Sequence, residues 1–167
     1  MLIKALAPIL GEFSGKGSLL DGTEFNASFV AQEIIPNLCY GMRLQINSLE
    51  TLNSIVNSYI VASIDSKTDE LELHLIDTRE SFHDLHKTHS SEVNGTTFHT
   101  FQAKRSSGGL YKVEFGIPSA SQFSMAVSVS SAKEALVKCL WRVEFKRVHS
   151  LESLLESTQV PQTLNAA

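Results

Sequence analysis

Cysteine, tryptophan and proline are scarce in this chain, with two, one and four among 167 residues. The two cysteines, Cys39 and Cys139, stand far apart with no C-x-x-C step. Neither a disulfide framework nor a thiolate metal site is therefore expected, and each reads as a buried free thiol in an apolar strand. No apolar run approaches the roughly 20 residues of a membrane helix, so no membrane span is expected. The opening segment 1–8 has one lysine and a short apolar run, too little for a secretory signal, which makes a cytoplasmic chain the expectation. Basic residues are also few: 14 against 18 acidic ones, for a net charge of -4, and they are scattered. A nucleic-acid surface concentrates its cations, so neither DNA nor RNA is an expected partner.

What the chain does contain is two-residue alternation, interrupted by turn residues. Phe25, Ala27, Phe29 and Ala31 alternate with Asn26, Ser28 and Gln32, the period of a half-buried strand. Asp21-Gly22 before them is a hairpin turn, pairing segment 11–20 with 24–35. Pro36-Asn37 breaks the run, and 38–47 resumes it. Segments 58–64 and 70–76 form a further hairpin. The polar stretch 77–91 reads as a loop or a poor strand, ending at the Asn94-Gly95 turn. Segments 96–104, 110–117 and 122–130 follow as strands. In 135–148, Val137, Cys139, Trp141, Val143 and Phe145 share one face and Lys138, Arg142, Glu144 and Lys146 the other.

Helix is expected only at the termini. Pro8 limits 2–10 to one short turn. Ser150 caps a short helix carrying Leu151, Leu154 and Leu155, before Pro161 and a frayed tail. No helix is long enough to cross between parallel strands. About nine or ten meandering strands must then manage their edges, and closing the sheet on itself removes them. The expectation is all-β: an antiparallel up-and-down, calycin-like barrel over 1–150, with short helical segments at the termini and a helix and tail over 151–167.

The first strand, Gly11-Glu12-Phe13-Ser14-Gly15-Lys16-Gly17, resembles the Gly-x-aromatic-x-Gly-x-Gly opening of nitrobindin-like small β-barrels in the calycin group, which also holds lipocalins and fatty-acid-binding proteins. A last strand ending in the basic pair Lys146-Arg147 adds to the likeness. The resemblance implies that Phe13, here in place of the more usual Trp, stacks against Arg147 to close the barrel floor. Haem-holding members use a His on the final strand. Residues 140–147 contain none, so haem is not carried over and no cofactor is expected.

Three histidines, His83, His86 and His89, recur at three-residue steps. On a helical turn two of them share a face and suit a metal. On a strand, odd steps place neighbours on opposite faces and form no site, so no metal is assigned. His99 and Phe101 share a strand face, as do Tyr111, Val113 and Phe115. Together with Cys139, Trp141 and Phe145 they are the expected interior, with His99 and Tyr111 as two polar anchors in an apolar cavity. No G-x-S-x-G elbow, P-loop, H-E-x-x-H or Rossmann pattern occurs, and no motif supplies a serine with a base.

Three functions remain. The first is a barrel binding a small apolar or amphipathic molecule without catalytic chemistry. Another is a barrel enzyme whose His and Tyr act on a lipid or polyketide-like substrate. The third is a filled barrel with a structural or interaction role, and here a homodimer is an open alternative. A hollow interior favours the first two and a packed one the third.

Overall fold

The computed structural model describes residues 2–51, 53–77, 83–106, 108–131 and 137–148. A 3₁₀ helix, Leu2–Ile9, leads into ten strands: β1 Gly11–Leu19, β2 Glu24–Ile35, β3 Cys39–Ser48, β4 Ser54–Ile64, β5 Leu71–Asp77, β6 His83–Val93, β7 Thr96–Arg105, β8 Gly109–Ser119, β9 Gln122–Ser130 and β10 Val137–Arg147. Each strand pairs with the one before it, and β10 returns to β1, so the sheet closes as a meander barrel. The closing ladder is antiparallel and runs from Phe13 opposite Arg147 to Leu19 opposite Trp141. All-β architecture and closure follow the sequence pattern, because each strand buries alternate residues. In β2, Phe25, Ala27, Phe29 and Ala31 are inward and their neighbours exposed.

One open alternative resolves and two expectations change. Segment 77–91 is no loop over its described part: β6 pairs along both sides, with Leu73 opposite Leu85 and Lys87 opposite Phe101. Ladders on both sides outweigh its weak pattern, in which Leu85 is the buried apolar residue. The N-terminal helix is longer than one turn, eight residues in all, and Pro8 lies near its end. A 3₁₀ helix repeats every three residues, which places Ile3, Leu6 and Ile9 on one face, all fully buried. Cys139 is exposed rather than buried, and Cys39 is half-buried. A bulge between Cys139 and Trp141 inserts one extra residue, which turns everything before it to the opposite face. The expected C-terminal helix lies outside the described residues.

The middle of the barrel is filled. Phe29, Leu44, Val113, Phe115 and Val143 are completely inaccessible, and a side chain lining a water-sized void would not be. Room for the rings comes partly from β1, where a Cβ on Gly17 would stand 2.7 Å from Cζ of Phe25. Among the described residues no helix is long and apolar enough to cross a membrane.

Candidate functional site

The two ends of the barrel differ. At the helix end, Phe123 stacks on Phe145 at 4.7 Å between centroids and meets Phe13 and Phe29 edge-on, each at 4.9 Å. The Arg147 guanidinium carbon lies 4.6 Å from the Phe13 ring centre. Its nitrogens donate to the carbonyls of Leu10 at 2.8 Å, Pro8 at 3.1 Å and Ala120 at 2.7 Å. One side chain thus ties the end of the 3₁₀ helix to the β8–β9 turn and satisfies carbonyls that the helix leaves unpaired. Gly11 makes this approach possible: its φ is +120°, and a Cβ there would collide with the guanidinium.

His99 belongs to this end too. It is buried, its Nδ1 is 3.0 Å from Ser90 Oγ, and the ring also hydrogen-bonds the Ala5 carbonyl. Burial pushes its pKa below the ordinary histidine value, and the Lys87 charge adds to the shift, while the Ala5 bond opposes it. Lys4, Pro8, Thr97, Ile117 and Ser119 surround His99 in an open cleft of about 420 Å³.

Tyr111 marks the opposite end. It stands opposite Ala103, whereas His99 stands opposite Phe115, so the two polar residues sit four positions apart along the same ladder. At about 3.3 Å per residue, that is roughly 13 Å. Both face inward, but they do not form a pair of anchors or an acid–base couple. Trp141 shares the Tyr111 end, opposite Leu19 and Val127. Phe101, Val113, Phe115 and Phe145 lie on the inner wall and are at most 1% exposed. Cys139 faces outward with its partner Ser128 and is no part of the interior.

His83, His86 and His89 all stand on the strand β6 rather than on a helical turn. The His86 side chain is exposed, with Nδ1 2.7 Å from Glu72 Oε1, and a register shift separates Lys87 from His89. Among the described residues no group of three or more His, Cys, Asp or Glu is placed to hold a metal. One cluster escaped sequence reasoning: Ser63, His74 and Asp84 meet on the outer wall, with Ser63 Oγ 3.3 Å from His74 Nε2 and Asp84 Oδ1 2.6 Å from Nδ1. Only the strand register brings these residues together, and no local motif announces it. The outer wall also carries concavities of about 560 Å³ beside Asp84, His86 and Gln102 and about 630 Å³ beside Ser14, Lys16 and Glu144.

These features define a class: a closed, ten-stranded antiparallel up-and-down barrel, capped at one end by a 3₁₀ helix. Its fold is similar to the crystal structure of Rv2717c from M. tuberculosis, with a TM-score of 0.69 and 11% identity over 88% of this chain and 97% of that one. EF1p2_mFAP2b bound to DFHBI matches with a TM-score of 0.49 and 13% identity over 89% of this chain and 100% of the other. A de novo designed fluorescence-activating β-barrel matches with a TM-score of 0.45 and 13% identity, over 86% and 97%. At 11% identity the likeness to Rv2717c shows the fold alone. No family model matches the chain, and no curated protein does.

Proposed function

We propose that the protein binds a small apolar or amphipathic molecule at the end of the barrel opposite the 3₁₀ helix. The observation that carries this is that Tyr111 and Trp141 meet the same strand there, opposite Val129 and Val127, on the inner wall. Both keep a little accessible surface, 3% and 4%, as Ile117 at 7% does at the helix end. Tyr and Trp rings pair an apolar body with a polar atom, the combination that orients a ligand at a wet rim. Phe101 and Val113, paired one step further in, form the floor of this site. Phe115, Phe145 and His99 then act as packing beneath it, and Phe13 with Arg147 as the closure of the far end. The Gly11 to Gly17 motif and the Arg147 stack support a place among the small ligand-binding barrels of the calycin group, and a single barrel domain over 1–150.

A second reading has its own support. The inaccessible centre fits a filled barrel that works through its outer wall, where Val30, Tyr59 and Ile76 are exposed in one row across β2, β4 and β5, with Arg43 between them. One titration separates the two. Trp141 is the single tryptophan, so its emission reports on this end of the barrel. A long-chain fatty acid or an apolar dye should shift or quench it saturably, and Tyr111→Ala should weaken the effect. No change up to about 100 μM, a binding free energy of roughly 5.5 kcal/mol, would leave the filled-barrel reading in its place.

A further inference from the structure

We propose that Ser63 is a base-activated nucleophile on the outer wall, able to take an acyl group from a small activated ester. This site is independent of any ligand held at the barrel end.

Three neighbouring strands build it. On β4, Ile60 and Ala62 are buried in the interior, so Ser63 next to them projects outward. On β5, His74 stands opposite Val61 and reaches diagonally to Ser63; on β6, Asp84 stands directly opposite His74. A carboxylate only accepts hydrogen bonds, so Nδ1 of the neutral ring, 2.6 Å from Asp84 Oδ1, carries the hydrogen. That leaves the Nε2 lone pair facing the Ser63 hydroxyl at 3.3 Å, within reach of its proton. A serine, a base and a group that orients the base are the three parts that make a hydroxyl nucleophilic. Access is open, with the His74 side chain 32% and that of Asp84 53% exposed. The Glu72 carboxylate, opposite Ser63 across the ladder, is engaged by His86 at 2.7 Å.

The chemistry follows from these roles. Ser63 Oγ attacks the ester carbonyl carbon while His74 Nε2 takes its proton. The ester C–O bond breaks, the leaving alcohol or phenol departs with that proton, and the acyl group stays on Ser63. Water can then attack the acyl carbon, passing a proton through His74 back to Ser63 Oγ as the carboxylic acid leaves. β4 lies between β3 and β5, and its backbone N–H groups are committed to those two ladders. No pair of them is left to stabilise an oxyanion, a contribution worth about 10²–10³ in rate per donor. Ser63 therefore reacts with activated donors and does not turn over ordinary esters, and the open wall selects them by reactivity rather than shape.

An alkyl fluorophosphonate tests this directly. Ser63 Oγ forms the P–O bond, the P–F bond breaks, and fluoride leaves with the electron pair while His74 takes the proton. Peptide mass spectrometry of the native protein should place a single adduct on Ser63, and Ser63→Ala should abolish it. His74→Gln should slow labelling about 100-fold and Asp84→Asn about tenfold or more, with circular dichroism and Trp141 emission unchanged. Absence of an adduct, an adduct spread over other surface serines, or Ser63 labelling indifferent to His74→Gln would each overturn the proposal. The native protein's labelling pattern decides by itself should a variant fail to fold.

Discussion

The helix end and the Tyr111–Trp141 end of this barrel are built from the same strands but solve different problems. At the helix end the 3₁₀ segment plugs the opening, Arg147 binds carbonyls from two separate segments, and five phenylalanines, Phe13, Phe29, Phe115, Phe123 and Phe145, pack ring against ring. At the other end the inner wall carries Ala103, Tyr111 and Trp141, and the two rings add polar atoms to an apolar lining. The contrast shows that closing a sheet into a barrel removes its edges but leaves two open mouths. Sealing one of them needs a covering element and a cation matched to carbonyls. Among the described residues no helix covers the other mouth.

The largest effect expected from this contrast is at Phe13. Phe13→Ala should cost about 3 kcal/mol or more in urea denaturation, by loss of transfer energy and by the cavity left among the rings. Ala103→Gly, at the other mouth, should cost about 1 kcal/mol or less. Equal costs at the two positions would erase the distinction between ends. A smaller loss, about 1–3 kcal/mol, is expected for Gly11→Ala, which combines a left-handed backbone with a collision against Arg147. An unchanged denaturation midpoint would show that the guanidinium does not need that space. The smallest effect concerns His99. Its folded-state pKa is lowered by burial, so below the ordinary histidine value, about 6.5, the unfolded chain binds a proton that the folded one resists. Stability should then be full above that pH and decline as pH falls below it. His99→Gln should flatten this part of the profile, and identical pH profiles for the two proteins would remove His99 from the account.

Much of the barrel was legible in the sequence, because half-buried strands print their burial as alternation. β2 and the stretch Trp141 to Phe145 are the clearest cases. Phe13 and Arg147 were singled out through their resemblance to a family, and the guanidinium carbon stands 4.6 Å from the Phe13 ring centre. Other features were not written locally. The face of Cys139 depends on one extra residue in the β9–β10 ladder, which alternation alone cannot register. β6 exists because β5 and β7 both pair with it, despite a polar composition. The distance between His99 and Tyr111 and the meeting of Ser63, His74 and Asp84 are both set by register between strands. Separations of ten and eleven residues along the chain carry no sign of contact.

The latch between Arg147 and Leu10 spans 137 residues of chain, and this sets an order of events during synthesis. At about 5–20 residues per second, β1 leaves the ribosome roughly 6–26 s before its partner β10 is complete. Until then the growing sheet has a bare edge. Long-range closure is also the slow kind of contact to form, on millisecond-to-second timescales for all-β proteins. The residues that wait longest are Gly11, Gly15 and Gly17, with Lys16 among them. A strand rich in glycine and carrying a lysine is a poor template for other chains to pair with. The same glycines that admit the rings and the guanidinium into the finished barrel therefore keep its waiting edge from recruiting neighbours in a crowded cell.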